Sequence, residues 1–282
     1  DLGIDRAGNE PYGAIEALAP EGPARREDGG TGGGGGPGTG DLLFSAGLAE
    51  LTRSYDLTGA SPAHRYDSGF FPGLWVHAEL YPFALAGEGG TLEQIALEGY
   101  LDSGLIETKL KIQREGAPAT VEGVETTQRM WGVGAVYRTF PTSTDHGPVN
   151  VRFLAGWHSA TFALEEGTDL YRRIDYGAVR LGVDGLYPVG RSDAWIISLR
   201  GRAALLWSRA DLNDREAYPT SSGVGWEGAG GVDVDLGGDF SVAADYRFYA
   251  FPVEFPAAGE GRPALDSDDL YHGVVLELAY RR

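Results

Sequence analysis

The chain has 282 residues, no cysteine and a formal net charge of −18. Those figures exclude a disulfide framework and a cysteine-ligated metal site, and they argue against a nucleic-acid partner. No run of about 18 apolar residues occurs, so no transmembrane helix is available, and 44 glycines with 6 Trp and 14 Tyr point instead to a strand-and-turn protein.

The chain opens on Asp with no charged or apolar leader, as expected of a chain relieved of a signal peptide or of a longer N-terminal part. Residues 1–40 read as an arm. Its second half, EGPARREDGGTGGGGGPGTG, is a Gly/Pro linker unable to bury a core. The segment before it, PYGAIEALAP, offers Tyr12, Ile15 and Leu18 as a small apolar docking patch for a partner.

From residue 41 on, about ten strands with turn signals between them are predicted, at 41–56, 70–84, 92–106, 123–140, 149–164, 170–189, 193–209, 223–237, 239–253 and 269–281. Connections alternate between short (85–91, 141–148, 190–192, 237–239) and mostly long (57–69, 107–122, 210–222, 254–268), with 165–169 a short exception on the long side. An even strand count places both chain ends on the short-turn side.

The third strand changes parity. Ile95, Leu97 and Leu101 give way to Ile106, Thr108, Leu110 and Ile112, which alternate with Glu107, Lys109 and Lys111. A bulge is the expected cause. The hairpin 92–140 is then expected to rise beyond the other strands and to offer free edges to a partner.

Residues 193–209, DAWIISLRGRAALLWSR, carry the clearest alternation. Trp195, Ile197, Leu199, Gly201, Ala203, Leu205 and Trp207 fall on one face, with Arg200 and Arg202 on the other. Twelve residues at about 3.3 Å span about 40 Å, or roughly 30 Å of membrane normal at a tilt of about 40°. The pattern recurs. Arg180 and Asp184 oppose Val179, Leu181 and Val183; Glu227, Asp233 and Asp235 oppose Trp226, Val232 and Val234; Asp245 and Arg247 oppose Val242, Ala244 and Tyr246. Aromatic residues gather at two levels, with Trp75, Trp131, Trp207 and Trp226 at the long-loop rim and Tyr137, Tyr187, Trp195 and Tyr280 at the other. A soluble barrel or sandwich shows the same period; strand length, paired rims and loop asymmetry favour the membrane form.

In these respects residues 41–282 resemble the small up-and-down outer-membrane β-barrels of Gram-negative bacteria. The resemblance lies in architecture, with no diagnostic motif, and the end LELAYRR departs from it by placing Tyr280 third from the terminus. It implies an all-β, antiparallel transmembrane barrel of about ten strands, contact with outer-membrane lipid, chain ends in the periplasm and long loops outside.

A barrel of that size has little lumen. Arg180, Asp184, Arg200, Arg202, Glu227, Asp233, Asp235, Asp245 and Arg247 are expected to pair across it as a salt-bridged plug. The alternative is a narrow cation-preferring path along Asp233, Asp235 and Asp245. A second alternative is a barrel hydrolase. Its best cluster is His272 with Asp268 and Asp269, without an evident serine; His64 with Asp67, Asp145 with His146, and His158 with Ser159 are weaker. His77, Glu79 and Glu98 read as an interior hydrogen-bonded group ahead of a metal site, and Leu265–Asp269 as a solvated acidic loop ahead of a Ca²⁺ site. No cofactor and no metal are expected. The favoured function is a non-enzymatic anchor or scaffold subunit of an envelope-spanning assembly, contacting other envelope proteins through the arm and the 92–140 hairpin.

Overall fold

The computed structural model describes residues 41–59, 64–87, 90–112, 120–164, 173–212, 218–256 and 264–282, with the backbone alone for 64–66, 105–112, 120–125 and 164. The arm residues Tyr12, Ile15 and Leu18 lie outside the described residues. Ten long strands form the wall: β1 (Leu42–Thr58), β3 (Phe71–Leu80), β4 (Ile95–Ile112), β5 (Thr120–Thr144), β6 (Gly147–Leu164), β7 (Arg173–Arg191), β8 (Ile196–Leu212), β9 (Ser221–Asp235), β10 (Phe240–Phe255) and β11 (Leu265–Arg281). A short strand, β2 (His64–Asp67), pairs with the end of β1 inside the first long connection; the sequence pattern had not indicated it.

Among the ten wall strands, neighbours in the chain are neighbours in the sheet, all antiparallel, and β1 pairs with β11 from Leu43↔Arg281 to Thr58↔Asp266. The sheet is therefore closed, which removes its edges. The described chain ends meet at the short-turn end, where the Leu42 amide donates to the Arg282 carbonyl at 3.0 Å.

Period-two alternation sets the two faces. Outward residues form an apolar belt that includes Leu48, Val133, Val183, Leu199, Leu205, Val242, Leu276 and Leu278, all exposed. Inward residues are buried and mixed. At the long-loop end they are apolar and aromatic: Leu57, Phe162, Tyr176, Leu206, Phe251, Phe255 and Tyr271 form one cluster. Further down they are charged.

The β9–β10 hairpin shows how a turn is encoded. Gly237 and Gly238 have φ of 77° and 72°, the left-handed region that tight hairpin turns need and that glycine adopts freely. A Cβ on Gly238 would meet nothing within 4 Å, so a substitution there tests backbone conformation alone. Gly238→Val is expected to cost about 1–2 kcal/mol in urea unfolding of the detergent-folded barrel; an unchanged midpoint would contradict the turn assignment.

The bulge expected in β4 is absent. The β4–β5 ladder runs in unbroken register from Ile95↔Tyr137 to Ile112↔Thr120, and shifts occur instead at Thr139/Thr142 and Pro188/Gly190. Pairing of β4 with β3 stops at Gly104, and pairing of β5 with β6 stops at Thr126. Beyond those positions the two strands continue as a ribbon paired only with each other among the described residues. The parity change at Ile106 thus follows the point where lateral partners end and the surroundings change, not a slip of register. Leu265–Asp269, expected as an acidic loop, is the first part of β11.

Candidate functional site: the lumen and its rims

Every inward charged residue named from the pattern lies inside the barrel, and the arginines organise the contacts. Arg180 on β7 donates through Nε and Nη2 to Glu227 on β9, at 2.7 and 3.1 Å. It also reaches across the lumen to Glu98 on β4, at 3.3 Å. Arg202 on β8 holds Asp184 at 2.9 Å and Glu227 at 3.3 Å. Arg152 on β6 grips the same Asp184 with two nitrogens, at 2.5 and 2.7 Å, and bonds Glu79 on β3. His77 completes this group, its Nε2 3.4 Å from Glu79 and 3.6 Å from Glu98.

A second group adjoins the first, beginning at Arg200, two residues before Arg202 on β8. Arg200 bonds Glu277 and lies 3.3 Å from Asp245. Arg247 reaches the same two carboxylates at 3.0 and 3.4 Å, with its guanidinium 4.0 Å from the Trp75 ring centroid. Nearly all of these charges are buried, so each partner offsets the large cost of removing the other from water.

Two expected pairings differ. Asp233 and Asp235 do not meet Arg200 or Arg202; Arg281 takes them, at 2.9 and 3.6 Å. The proposed path along Asp233, Asp235 and Asp245 is therefore lined by carboxylates already held by arginines. Glu79 and Glu98 lie inside with His77, as expected, and are also held by Arg152 and Arg180; Arg152, Glu277 and Arg281 are network members that the sequence pattern did not single out.

Above the charges the lumen is filled by rings. Arg53 and Asp269 form a bidentate pair at 2.8 and 2.6 Å, 1% and 2% exposed. The Arg53 guanidinium lies 3.7 Å from the Phe162 ring centroid and 5.2 Å from that of Tyr271. The hydroxyls of Tyr176 and Tyr271 donate to Asp269 at 3.0 and 3.3 Å. Tyr176 stacks on Phe251 at 4.4 Å, and Phe251 on His158 at 5.8 Å. The expected plug of salt bridges is thus two-tiered, with an aromatic cap over the charge network. The lumen retains a cavity of about 40 Å³ between Arg152, Arg200, Arg281 and Asp233, room for a water or two.

Of the girdle residues, Trp131, Trp195, Trp207, Trp226, Tyr137 and Tyr187 are exposed on the outer face, and Tyr280 stacks beside Phe240 at 5.4 Å. Trp75 is a correction. It is 2% exposed and points into the lumen, stacked on Tyr100 at 5.5 Å. It shares parity with His77 and Glu79, whose polarity marks the inner face of β3.

Among the described residues the candidate catalytic clusters are not assembled. His272 faces outward and bonds the Tyr246 hydroxyl at 2.9 Å, whereas Asp269 faces inward to Arg53. His158 is buried against the Tyr100 hydroxyl at 2.5 Å, with Ser159 on the other face. Asp145 and His146 form the tight turn at the end that carries the chain termini. Asp67 bonds Ser54, and the His64 side chain lies outside those described. Among the described residues no group of three His, Asp or Glu is arranged to hold a metal ion.

No protein-family model and no curated protein matches the chain. Solved structures do. The outer membrane protease OmpT of Escherichia coli aligns with a TM-score of 0.53 at 9% identity, over 86% of this chain and 98% of that one. The β domain of the Bordetella autotransporter BrkA aligns at 0.42 and 12% identity, over 86% and 100%. The outer membrane protein OprG of Pseudomonas aeruginosa aligns at 0.32 and 10% identity, over 86% and 97%. With its closed ten-strand wall, outward apolar belt and paired aromatic levels, the chain has the fold of the small bacterial outer-membrane β-barrels.

Proposed function

We propose that this chain is a non-enzymatic outer-membrane barrel that anchors or scaffolds an envelope-spanning protein assembly, with the short-turn end and both termini in the periplasm. The observation that carries this reading is the filled lumen. Two tiers of paired charges and stacked rings occupy the space a transported solute would need, so what the barrel offers to other molecules lies at its rims. There the β4–β5 ribbon extends past the strands beside it, with edges that are unpaired among the described residues, the geometry by which an extended segment adds to a sheet. Residues 1–40 supply the second contact, through Tyr12, Ile15 and Leu18. The likeness to the protease OmpT raises a protease reading, but the outward His272 and the arginine-held Asp269 lend it no support.

The test is co-purification from membranes in gentle detergent. Three forms are compared: the full chain, a form lacking residues 1–40, and a form in which residues 106–126 are replaced by an Asn-Gly turn. A defined set of envelope proteins is expected with the full chain and is expected to be lost from at least one shortened form that still shows heat-modifiable mobility. A barrel that purifies alone in all three forms would rule the scaffold out.

A further inference from the structure

The outer face of β8 reads, from the short-turn end upward, Gly201, Ala203, Leu205, Trp207 and Arg209. Gly201 pairs with Gly185 on β7 and Gly230 on β9; Ala203 pairs with Val183 and Gly228. A Cβ built on Gly201 or Gly230 meets nothing within 4 Å. The wall is therefore low along this line. Leu181 and Val183 rise on one side of it and Trp226 and Phe248 on the other, the two rings edge-on at 5.0 Å. The result is a shallow, open, mainly apolar groove of about 370 Å³ on the outer wall.

The groove is lined mainly by apolar atoms and is continuous with the exposed apolar belt, so a hydrocarbon chain suits it. Above it, two residues past Trp207, Arg209 is exposed and makes no ion pair among the described residues. Six residues separate Arg209 from Ala203, about 20 Å along the strand. At a tilt of about 40° this projects to about 15 Å, half of a hydrocarbon core of about 30 Å. A cation at headgroup height thus stands one leaflet above the groove.

We propose that the β7–β10 wall binds one phosphate-bearing acyl lipid of the leaflet at the long-loop rim, with its phosphate at Arg209 and an acyl chain in the groove over Ala203. The proposal rests on the membrane-spanning fold and is independent of the scaffold reading.

Native mass spectrometry of the full chain, released from micelles, tests it. The added probes are a diacyl phosphatidylglycerol and the matching diacylglycerol, which lacks the phosphate. The wild-type chain is expected to keep one phosphatidylglycerol and to keep it at least tenfold better than diacylglycerol. Ala203→Trp fills the groove and is expected to lose both lipids, with heat-modifiable mobility unchanged. Arg209→Ser, at an exposed position, is expected to erase the preference for the phosphate-bearing lipid. Equal retention by wild type and Ala203→Trp would overturn the groove, and a preference that survives Arg209→Ser would overturn the headgroup assignment. Should Ala203→Trp fail to fold, Arg209→Ser still decides.

Discussion

Arg180→Met is expected to lower the unfolding free energy of the barrel by about 3–5 kcal/mol, the largest loss from any single charge removal in the lower lumen. Arg180 is buried and satisfies both oxygens of Glu227 while reaching Glu98 on the far wall. Without it, among the described residues Glu227 keeps Arg202 at 3.3 Å and Glu98 keeps His77 at 3.6 Å as their remaining ion-pair partners. The penalty is the price of stranding carboxylates away from water, not the net worth of the pair. The double variant Arg180→Met/Glu227→Met is therefore expected to regain much of the loss, because two apolar side chains of similar volume replace a desolvated pair. Urea unfolding followed by tryptophan fluorescence in micelles reads both. A single variant within about 1 kcal/mol of wild type, the range of exposed pairs, would mean that water reaches the pair freely.

Trp75→Ala carries the second large effect, an expected loss of about 3–5 kcal/mol. Its ring is held between Tyr100 and the Arg247 guanidinium inside the lumen, so truncation leaves a cavity and uncovers a buried cation. Trp207→Ala, at an outward position 44% exposed, is expected to cost about 1 kcal/mol or less, since lipid fills the space. The same distinction is visible without unfolding. Brominated acyl chains are expected to quench Trp131, Trp207 and Trp226 and to leave Trp75 unquenched. Strong quenching of a variant that retains only Trp75 would put that ring back in the outer girdle.

The barrel wall was legible because its two sides face different solvents. On β8 to β11, lipid outside and paired charge inside leave a clear period-two pattern, and strand length with the paired aromatic levels separates it from the same period in a soluble barrel. β3 hid its orientation because both faces of FPGLWVHAEL are largely apolar, Leu74 and Val76 outward and Phe71 and Trp75 inward. Only His77 and Glu79 disclose which parity is inner, and reading Trp75 by its height in the membrane ignored them.

The charge network was half legible for a related reason. Its members announce themselves by parity, but several partners sit on strands that are not adjacent in the sheet, as Arg180 and Glu98 or Arg152 and Glu79 do, and Arg53 meets Asp269 only because closure joins the first strand to the last. Those contacts follow from the curvature of the closed wall and from how far each arginine extends into the lumen, neither of which is written in one strand. The aromatic cap was invisible for the same reason. Inward rings on β6, β7, β10 and β11 look like ordinary strand residues until closure brings them together.

The sealed lumen is the centre of this account, and single-channel recording of the full chain in a planar bilayer tests it most directly. The expected record shows no resolved openings at moderate voltage, with the arginine-held carboxylates and the aromatic cap intact. Stable ohmic openings of the wild-type chain would contradict the account, above all if they were cation-selective and lost that selectivity in Asp245→Asn.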